Sequence, residues 1–371
     1  MDILILSWRG LEHPNSGGAE QVTFEHAKAW VKAGHDVILF TSYFEGATRE
    51  DILNGVKILR RGRQFFEVQI RAFFWYIFGK HPKFDLVIDE FHGIPFFTPL
   101  YVRSRKLAFI HEVAREVWGL NPWPRPFNFI PSFFGTLFEP WIFKLFYKRM
   151  PFMTVSNSTK NDLMAMGIPR ENITIVNNGV NLDLPKMIPS KETQKTAIYL
   201  GAISEDKGTI DAVHAFGQIE RKDDQWQYWV VGRGTKDLVR RLKILAQKYN
   251  IESKITFWGR VSDRKKFELL AKAHVLINPS AHEGWGLVNI EANAAGTPVV
   301  GYNVHGLRES IKDSTGVLVD KGDFKKLAEG VIRMVNDKGK YEMFRKNALS
   351  WSKRFTWEKA TKESLELIES I

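Results

Sequence analysis

The chain has 371 residues, 44% of them hydrophobic, a length that suits two α/β domains better than one and a composition that excludes global disorder. It contains no cysteine, which excludes disulfides, thiolate metal sites and cysteine nucleophiles. A formal net charge of +11 points to an anionic partner, a phosphorylated ligand or a membrane surface, and no nucleic-acid-binding motif accompanies it.

The opening Met1–Ser7 lacks the basic stretch of a signal peptide and reads as a buried strand over Ile3–Ser7. An amphipathic stretch, Ala19–Ala33, follows; Gly34-His35 then turns into a strand over Asp36–Thr41. This is a β-loop-α-β unit of a parallel sheet. Leu86–Ile88, Ala108–Ile110 and Met153–Val155 are further strands, and Leu184–Thr196, with two prolines and no periodicity, reads as a linker. A second set begins at Ala197–Leu200 with a helix over Thr209–Ile219. It continues through Trp229–Val231, Ile255–Phe257, Val275–Ile277 and Pro298–Gly301, and a helix over Thr356–Ser370 closes the chain. The expected fold is two doubly wound Rossmann-like domains. No apolar run approaches the ~20 residues of a membrane-spanning helix, so the protein is expected to be cytoplasmic, soluble or peripheral on the inner face of the cell membrane.

Five constellations sit at strand ends, where such sheets bind ligands. Ser16-Gly17-Gly18-Ala19-Glu20 joins the first strand to the first helix. Paired glycines let a diphosphate approach helix N–H groups, though glycines also simply make turns. Pro279 to Glu291 follows a strand and opens a helix, with Glu283 and Glu291 eight positions apart. Two carboxylates there can accept hydrogen bonds from sugar and ribose hydroxyls, and the glycine-flanked backbone between them can bind phosphate. Gly201–Gly208 carries Lys207, a cation for phosphate. Phe109-Ile110-His111-Glu112 sets a histidine directly after a strand, more often structural but also suited to a donor sugar. Thr154–Ser158 caps a helix starting near Thr159, which explains it fully.

Taken together, Gly17-Gly18-Ala19-Glu20, His111, Ser156, Asn178-Gly179-Val180, Lys207-Gly208, Gly232-Arg233-Gly234 and the Glu283…Glu291 pair resemble the large family of retaining glycosyltransferases with the GT-B architecture and a two-glutamate signature. The resemblance runs over essentially the whole chain. It implies an N-terminal domain over 1–188 on the acceptor side, a C-terminal donor domain over 189–355, and a final helix over 356–371 that packs back on the first domain. The donor is implied to lie in the cleft between them. It further implies that Glu283 holds donor sugar hydroxyls, Glu291 the nucleotide ribose and Lys207 the diphosphate. Gly17, Gly18 and the backbone of Gly284, Trp285, Gly286 and Leu287 would cradle phosphate or sugar, His111 would contact the donor sugar, and Arg260 and Val261 would pack against the base. The implied catalytic residues are His111, Lys207 and Glu283. The implied enzyme is a metal-independent hexosyltransferase whose partners are a nucleoside-diphosphate sugar and a glycan or lipid-linked acceptor, with no cofactor and no nucleic acid. The family has Arg after the glycine of the third motif, where this chain has Ala202; an uncompensated diphosphate is costly, and Arg233 and Arg9 are replacements by position. A same-fold phosphorylase, a sugar-nucleotide epimerase and a non-catalytic nucleotide-sugar-binding protein remain the alternatives.

Two windows of the first domain are unusual. Residues 60–83 hold six Lys/Arg against Glu67, and residues 123–160 hold five against Glu139, with ten aromatics between Trp123 and Tyr147. Basic residues among aromatics suit an anionic membrane surface, against the alternative of ordinary packing. Prolines 124, 126, 131 and 140 suggest loops there. Glu90 and His92, after a strand of the same domain, are candidate acceptor residues.

Overall fold

The structure is a computed structural model and describes residues 1–114, 118, 129–180 and 190–371. It divides into two compact units, Met1–Gly179 with Trp357–Ile371, and Val180–Thr356. The expected boundary at 188/189, and Trp123 with prolines 124 and 126, lie outside the described residues.

In the first unit the elements run β1 (Asp2–Ser7), α1 (Gly18–Lys32), β2 (Asp36–Thr41), β3 (Glu50–Leu53), β4 (Val56–Arg60), α2 (Glu67–Phe78), β5 (Leu86–Glu90), α3 (Thr98–Tyr101), β6 (Arg105–Ile110), α4 (Phe129–Ile142), β7 (Phe152–Thr154), α5 (Asn157–Ala165) and β8 (Ile173–Ile175). Among the described residues they form an eight-stranded sheet, ordered β3-β4-β2-β1-β5-β6-β7-β8. Its pairings are parallel except β3 with β4. Ile3, Leu4, Ile5 and Leu6 are all buried. Both faces of the central strand are therefore covered, as parallel sheets require.

The second unit runs β9 (Lys195–Leu200), α6 (Thr209–Lys222), β10 (Trp226–Val231), α7 (Lys236–Lys248), β11 (Ile255–Gly259), α8 (Asp263–Lys272), β12 (Val275–Asn278), α9 (Leu287–Ala294), β13 (Val299–Tyr302), α10 (Leu307–Ser310), β14 (Gly316–Val319), α11 (Phe324–Asn336) and α12 (Lys338–Ser352). Its sheet is all parallel, ordered β11-β10-β9-β12-β13-β14. Around it lies one core that includes Phe216, Trp226, Tyr228, Ile277 and Val300. Lys191, from the stretch read as linker, is half-buried in this unit and donates to Ala273 O and Thr297 Oγ1 at 2.6 Å each.

The last helix, α13 (Trp357–Ser370), belongs to the first unit. Ala360, Ser364 and Ile368 form its buried stripe, at helical spacing. Trp30 Nε1 of α1 donates to Ser364 Oγ at 3.1 Å, and the buried His26 ring lies between Trp30, Phe109 and Trp357.

The aromatic window differs from the loop reading. Pro131 falls in the first turn of α4, where a missing N–H costs nothing, and Pro140 lies inside the helix. Immediately after it the backbone widens into a π-helical turn over Phe143–Tyr147, one way a helix accommodates an interior proline. Phe143 and Tyr147 are buried beside Phe91 and Phe152. Phe133, Phe134, Phe138 and Trp141 are instead exposed, as are Phe66, Phe73, Phe74 and Phe78 of the α2 region.

Candidate functional site

In the second unit β9 and β12 are neighbours, and the chain leaves them in opposite directions along the sheet, to β10 and to β13. That is a topological switch point, where the loops at the carboxyl ends part and leave a crevice. Those loops are Gly201–Gly208 and Pro279–Gly286. They touch at Gly208: its φ is +66°, and a Cβ there would lie 2.0 Å from Pro279 O. Only glycine meets both demands. Ala281 N donates to Asp206 O at 2.8 Å and ties the loops further.

The contact brings the charged groups together. Lys207 Nζ lies 2.9 Å from Glu283 Oε1, which also accepts from Ser280 Oγ at 2.9 Å. Gly286, at φ +77°, precedes α9; Asn289 N is taken by Gly286 O at 2.9 Å, and the helix N-terminus with the Leu287 and Val288 amides follows directly on the loop that carries this cluster. Asn289 fixes the helix from below, accepting from Asn278 Nδ2 and donating to Ser310 Oγ. Glu291, one turn along α9, pairs with Lys266 Nζ of α8 at 2.7 Å. Burial opposes the ammonium charge of Lys266, but Glu291 and Asp263 outweigh it and raise its pKa.

The remaining residues of this unit divide. Gly201 and Gly232, both at φ +147°, let the ends of β9 and β10 approach: a Cβ on Gly232 would meet Gly201 O at 1.7 Å. Arg233 follows, exposed, its guanidinium without an acidic partner among the described residues. Ala202 contributes only its carbonyl, which accepts from Tyr199 Oη at 2.6 Å. The Trp285 ring is buried against Phe355, which leaves its backbone, not its side chain, for a ligand. Arg260 is exposed and Val261 packs on the core.

In the first unit the switch point lies between β1 and β5. Gly17 N donates to Glu20 Oε2 at 2.6 Å, and Arg9 Nε donates to Glu20 Oε1 at 2.8 Å. The Gly17 amide thus bonds to its own helix, and Arg9 to Glu20 and to Asn15 O. Gly18 is the first residue of α1. Glu90, at the end of β5, is buried; its Oε1 accepts from Thr23 Oγ1 at 2.7 Å and lies 3.4 Å from His111 Nε2. Its Oε2 is buried with no hydrogen-bond partner among the described residues. His92 Nδ1 lies 3.6 Å from Glu112, and its ring 5.9 Å from that of Trp8. Ser156 caps α5, which starts at Asn157 rather than near Thr159.

A family model of glycosyl transferases group 1 matches residues 182–351, and one of glycosyltransferase family 4 matches residues 16–184. The sucrose-phosphate synthase of Thermosynechococcus elongatus superposes over 100% of this chain and 98% of its own, with a TM-score of 0.80 at 20% identity. The chain has the GT-B fold of two Rossmann-like domains, and its two halves each match a glycosyltransferase family model. Another solved structure, HepE of Anabaena in complex with UDP-glucose, has a TM-score of 0.75 at 18% identity over 100% of both chains. The phosphatidyl-myo-inositol mannosyltransferase of Mycobacterium leprae is 28% identical over 201 residues, 52% of each chain. The alignments to this enzyme and to two glycosyltransferases of Methanocaldococcus jannaschii span 52% to 60% of those proteins' lengths.

In the second unit the loops bring Lys207 and Glu283 together and α9 holds Glu291; in the first unit a separate group gathers Glu90 and His111, with His92 on the loop that follows. Sequence reasoning missed Lys266, Ser280 and Thr23 as partners. Ser280 lay inside the quoted motif. Lys266 and Thr23 carry no local signal, because their partners are 25 and 67 positions away.

Proposed function

We propose that the chain is a retaining hexosyltransferase that moves a sugar from a nucleoside-diphosphate sugar to a hydroxyl of a lipid-linked or cell-surface glycan precursor, without a metal ion or cofactor. The observation that carries this reading is the cluster of Lys207, Ser280 and Glu283 at the β9/β12 switch point, beside the N-terminus of α9.

Loss of the nucleoside diphosphate puts negative charge on a phosphate oxygen. Lys207, Arg233 and the first amides of α9 are the positive groups that stabilise it, fixed before the reaction begins. Glu283 accepts from donor sugar hydroxyls, oriented by Ser280. Glu291, with Lys266 as its counter-ion, accepts from the ribose hydroxyls. A double displacement would need a carboxylate nucleophile on the sugar's opposite face. Front-face attack, with the departing phosphate taking the acceptor proton, needs none. In the first unit Glu90, whose Oε2 has no partner among the described residues, and His92 receive the acceptor, while His111 contacts the donor sugar. The Anabaena protein's UDP-glucose supports a nucleotide-sugar donor, and the Mycobacterium leprae enzyme's name supports a lipid acceptor. Exposed rings on α2 and α4, beside Arg71, Lys80, Lys144, Lys148 and Arg149, support peripheral binding to an anionic bilayer. Among the described residues no helix is long and apolar enough to cross one.

The test is a thermal-shift screen over nucleotide sugars, then turnover with the best stabiliser. One donor should raise the melting temperature, its hydrolysis or transfer should proceed unchanged in EDTA, and the product should keep the donor's anomeric configuration by NMR. No stabilisation by any nucleotide sugar contradicts the donor reading. Loss in EDTA that manganese restores contradicts metal independence, and an inverted product contradicts retention.

A further inference from the structure

The first unit contains a cavity of about 920 Å³ bounded by α2, the loop after β5, α3 and α4. Ile70, Phe74, Ile94, Phe97, Phe134 and Phe138 are among its walls. It is apolar apart from Gln69, Tyr101, Trp118 and Glu139. Trp118 and Glu139 satisfy each other: Trp118 Nε1 donates to Glu139 Oε2 at 3.2 Å, and Ala114 N donates to Glu139 Oε1 at 3.0 Å. Gln69 Oε1 and Tyr101 Oη are buried with no partner among the described residues.

We propose that this cavity holds the hydrocarbon chain of the acceptor, so that the acceptor is an amphipathic lipid whose chain is gripped by the protein itself rather than left in the bilayer. The proposal rests on the transferase reading and deepens it by naming the acceptor's chemical class. The volume lies in the range of ligand sites, and walls of this kind offer water few partners. Its inner end adjoins the polar group at the carboxyl edge of β5. The lining loop begins at Gly93, directly after His92; Trp8 stands edge-on to the lining Phe65 at 5.8 Å and 5.9 Å from the His92 ring. Its outer end lies between helices whose rings face outward: Phe74, Phe134 and Phe138 line the cavity and are exposed as well. Apolar surface therefore leads from the exposed rings to the loop that begins beside His92.

The wall is held rather than collapsed. Asp89, fully buried, accepts from Phe96 N, Thr98 N, Thr98 Oγ1 and Tyr147 Oη, and this clamps the loop that separates cavity from sheet. Four donors on one carboxylate fix the loop's path against the apolar attraction that would otherwise close it.

The test uses a long-chain fatty alcohol carrying a diazirine near its end, photolysed with the whole protein, followed by mass-spectrometric mapping. Labels should fall on peptides from α2, from 93–101 and from α4. The double variant Ile70→Trp, Leu100→Trp, at two exposed lining positions, fills the space and should cut labelling by roughly tenfold, the effect of losing burial of about two methylene groups. Ile244→Trp, on α7 of the other unit, should label like the parent. Labels scattered over other exposed apolar residues of the parent overturn the proposal. So does a dimer, seen by sedimentation, that buries this face and excludes the probe. The mapping needs no sugar donor, so failure of the transferase reading and failure of the cavity to take a chain are separate outcomes.

Discussion

Glu291 is buried on α9 with Lys266 as its partner, so its charge is held in place before any nucleotide arrives. If it accepts from the ribose, Glu291→Ala weakens donor and free nucleoside diphosphate alike by ~1–3 kcal/mol, the loss of a charge-assisted hydrogen bond. Removing it also strands the Lys266 ammonium, so Glu291→Gln, which keeps the shape, separates the two effects. Isothermal titration with the free diphosphate checks this, and unchanged affinity in a folded variant removes the assignment. Lys207 and Glu283 were legible from the sequence because loop glycines and charges cluster at strand ends within a few positions of one another. The partnership of Glu291 with Lys266 was not, since it exists only once α8 packs beside α9. The bond from Gly17 N to Glu20 Oε2 was open to a sequence reading, since a glutamate three residues into a helix is a capping position.

At the scale of elements, α13 completes the first unit by closing over α1. The His26 ring beneath it has both nitrogens buried without hydrogen-bond partners among the described residues, and burial, with His111 adding to it, lowers its pKa to about 3. The unfolded chain takes up a proton below ~6.5 while the folded one does not, so this histidine costs stability as pH falls from ~6.5 toward 3, by about 1.4 kcal/mol per pH unit. His26→Leu removes the titration and the orphaned nitrogens. Melting curves from pH 7 to pH 5 should diverge in favour of the variant, by about 2 kcal/mol at pH 5; parallel curves contradict the reading. The central strands were legible because a buried parallel strand is a short apolar run, and β2 spans the predicted Asp36–Thr41. The β3/β4 hairpin was missed because β3 is a largely exposed edge strand. Its turn residues, Asn54-Gly55 at φ +50° and +84°, were the signal available. In α4 the prolines were read as breaks, but one sits in the first turn and the other is absorbed by the π-helical turn after it.

For the whole molecule, composition and motif order were enough for two Rossmann-like domains of the GT-B type; they could not indicate whether the aromatic windows are core. The structure divides them: Phe143 and Tyr147 are buried, while Phe133, Phe134 and Trp141 are exposed beside Lys144, Lys148 and Arg149. Anionic vesicles should therefore sediment the protein at low salt, at about 1 kcal/mol per well-placed cation. Neutralising those three cations should weaken the salt-sensitive part and leave the aromatic part. A parent protein that ignores anionic vesicles at low salt contradicts the membrane reading. If the loops after β9 and β12 bind and activate a nucleoside-diphosphate sugar, the rate of nucleoside diphosphate release by Lys207→Ala, with the donor that best stabilises the parent, reports it. With the main cation of the cluster gone, kcat should fall by roughly 10²–10³ in a variant that melts like the parent; a parental kcat would contradict the account.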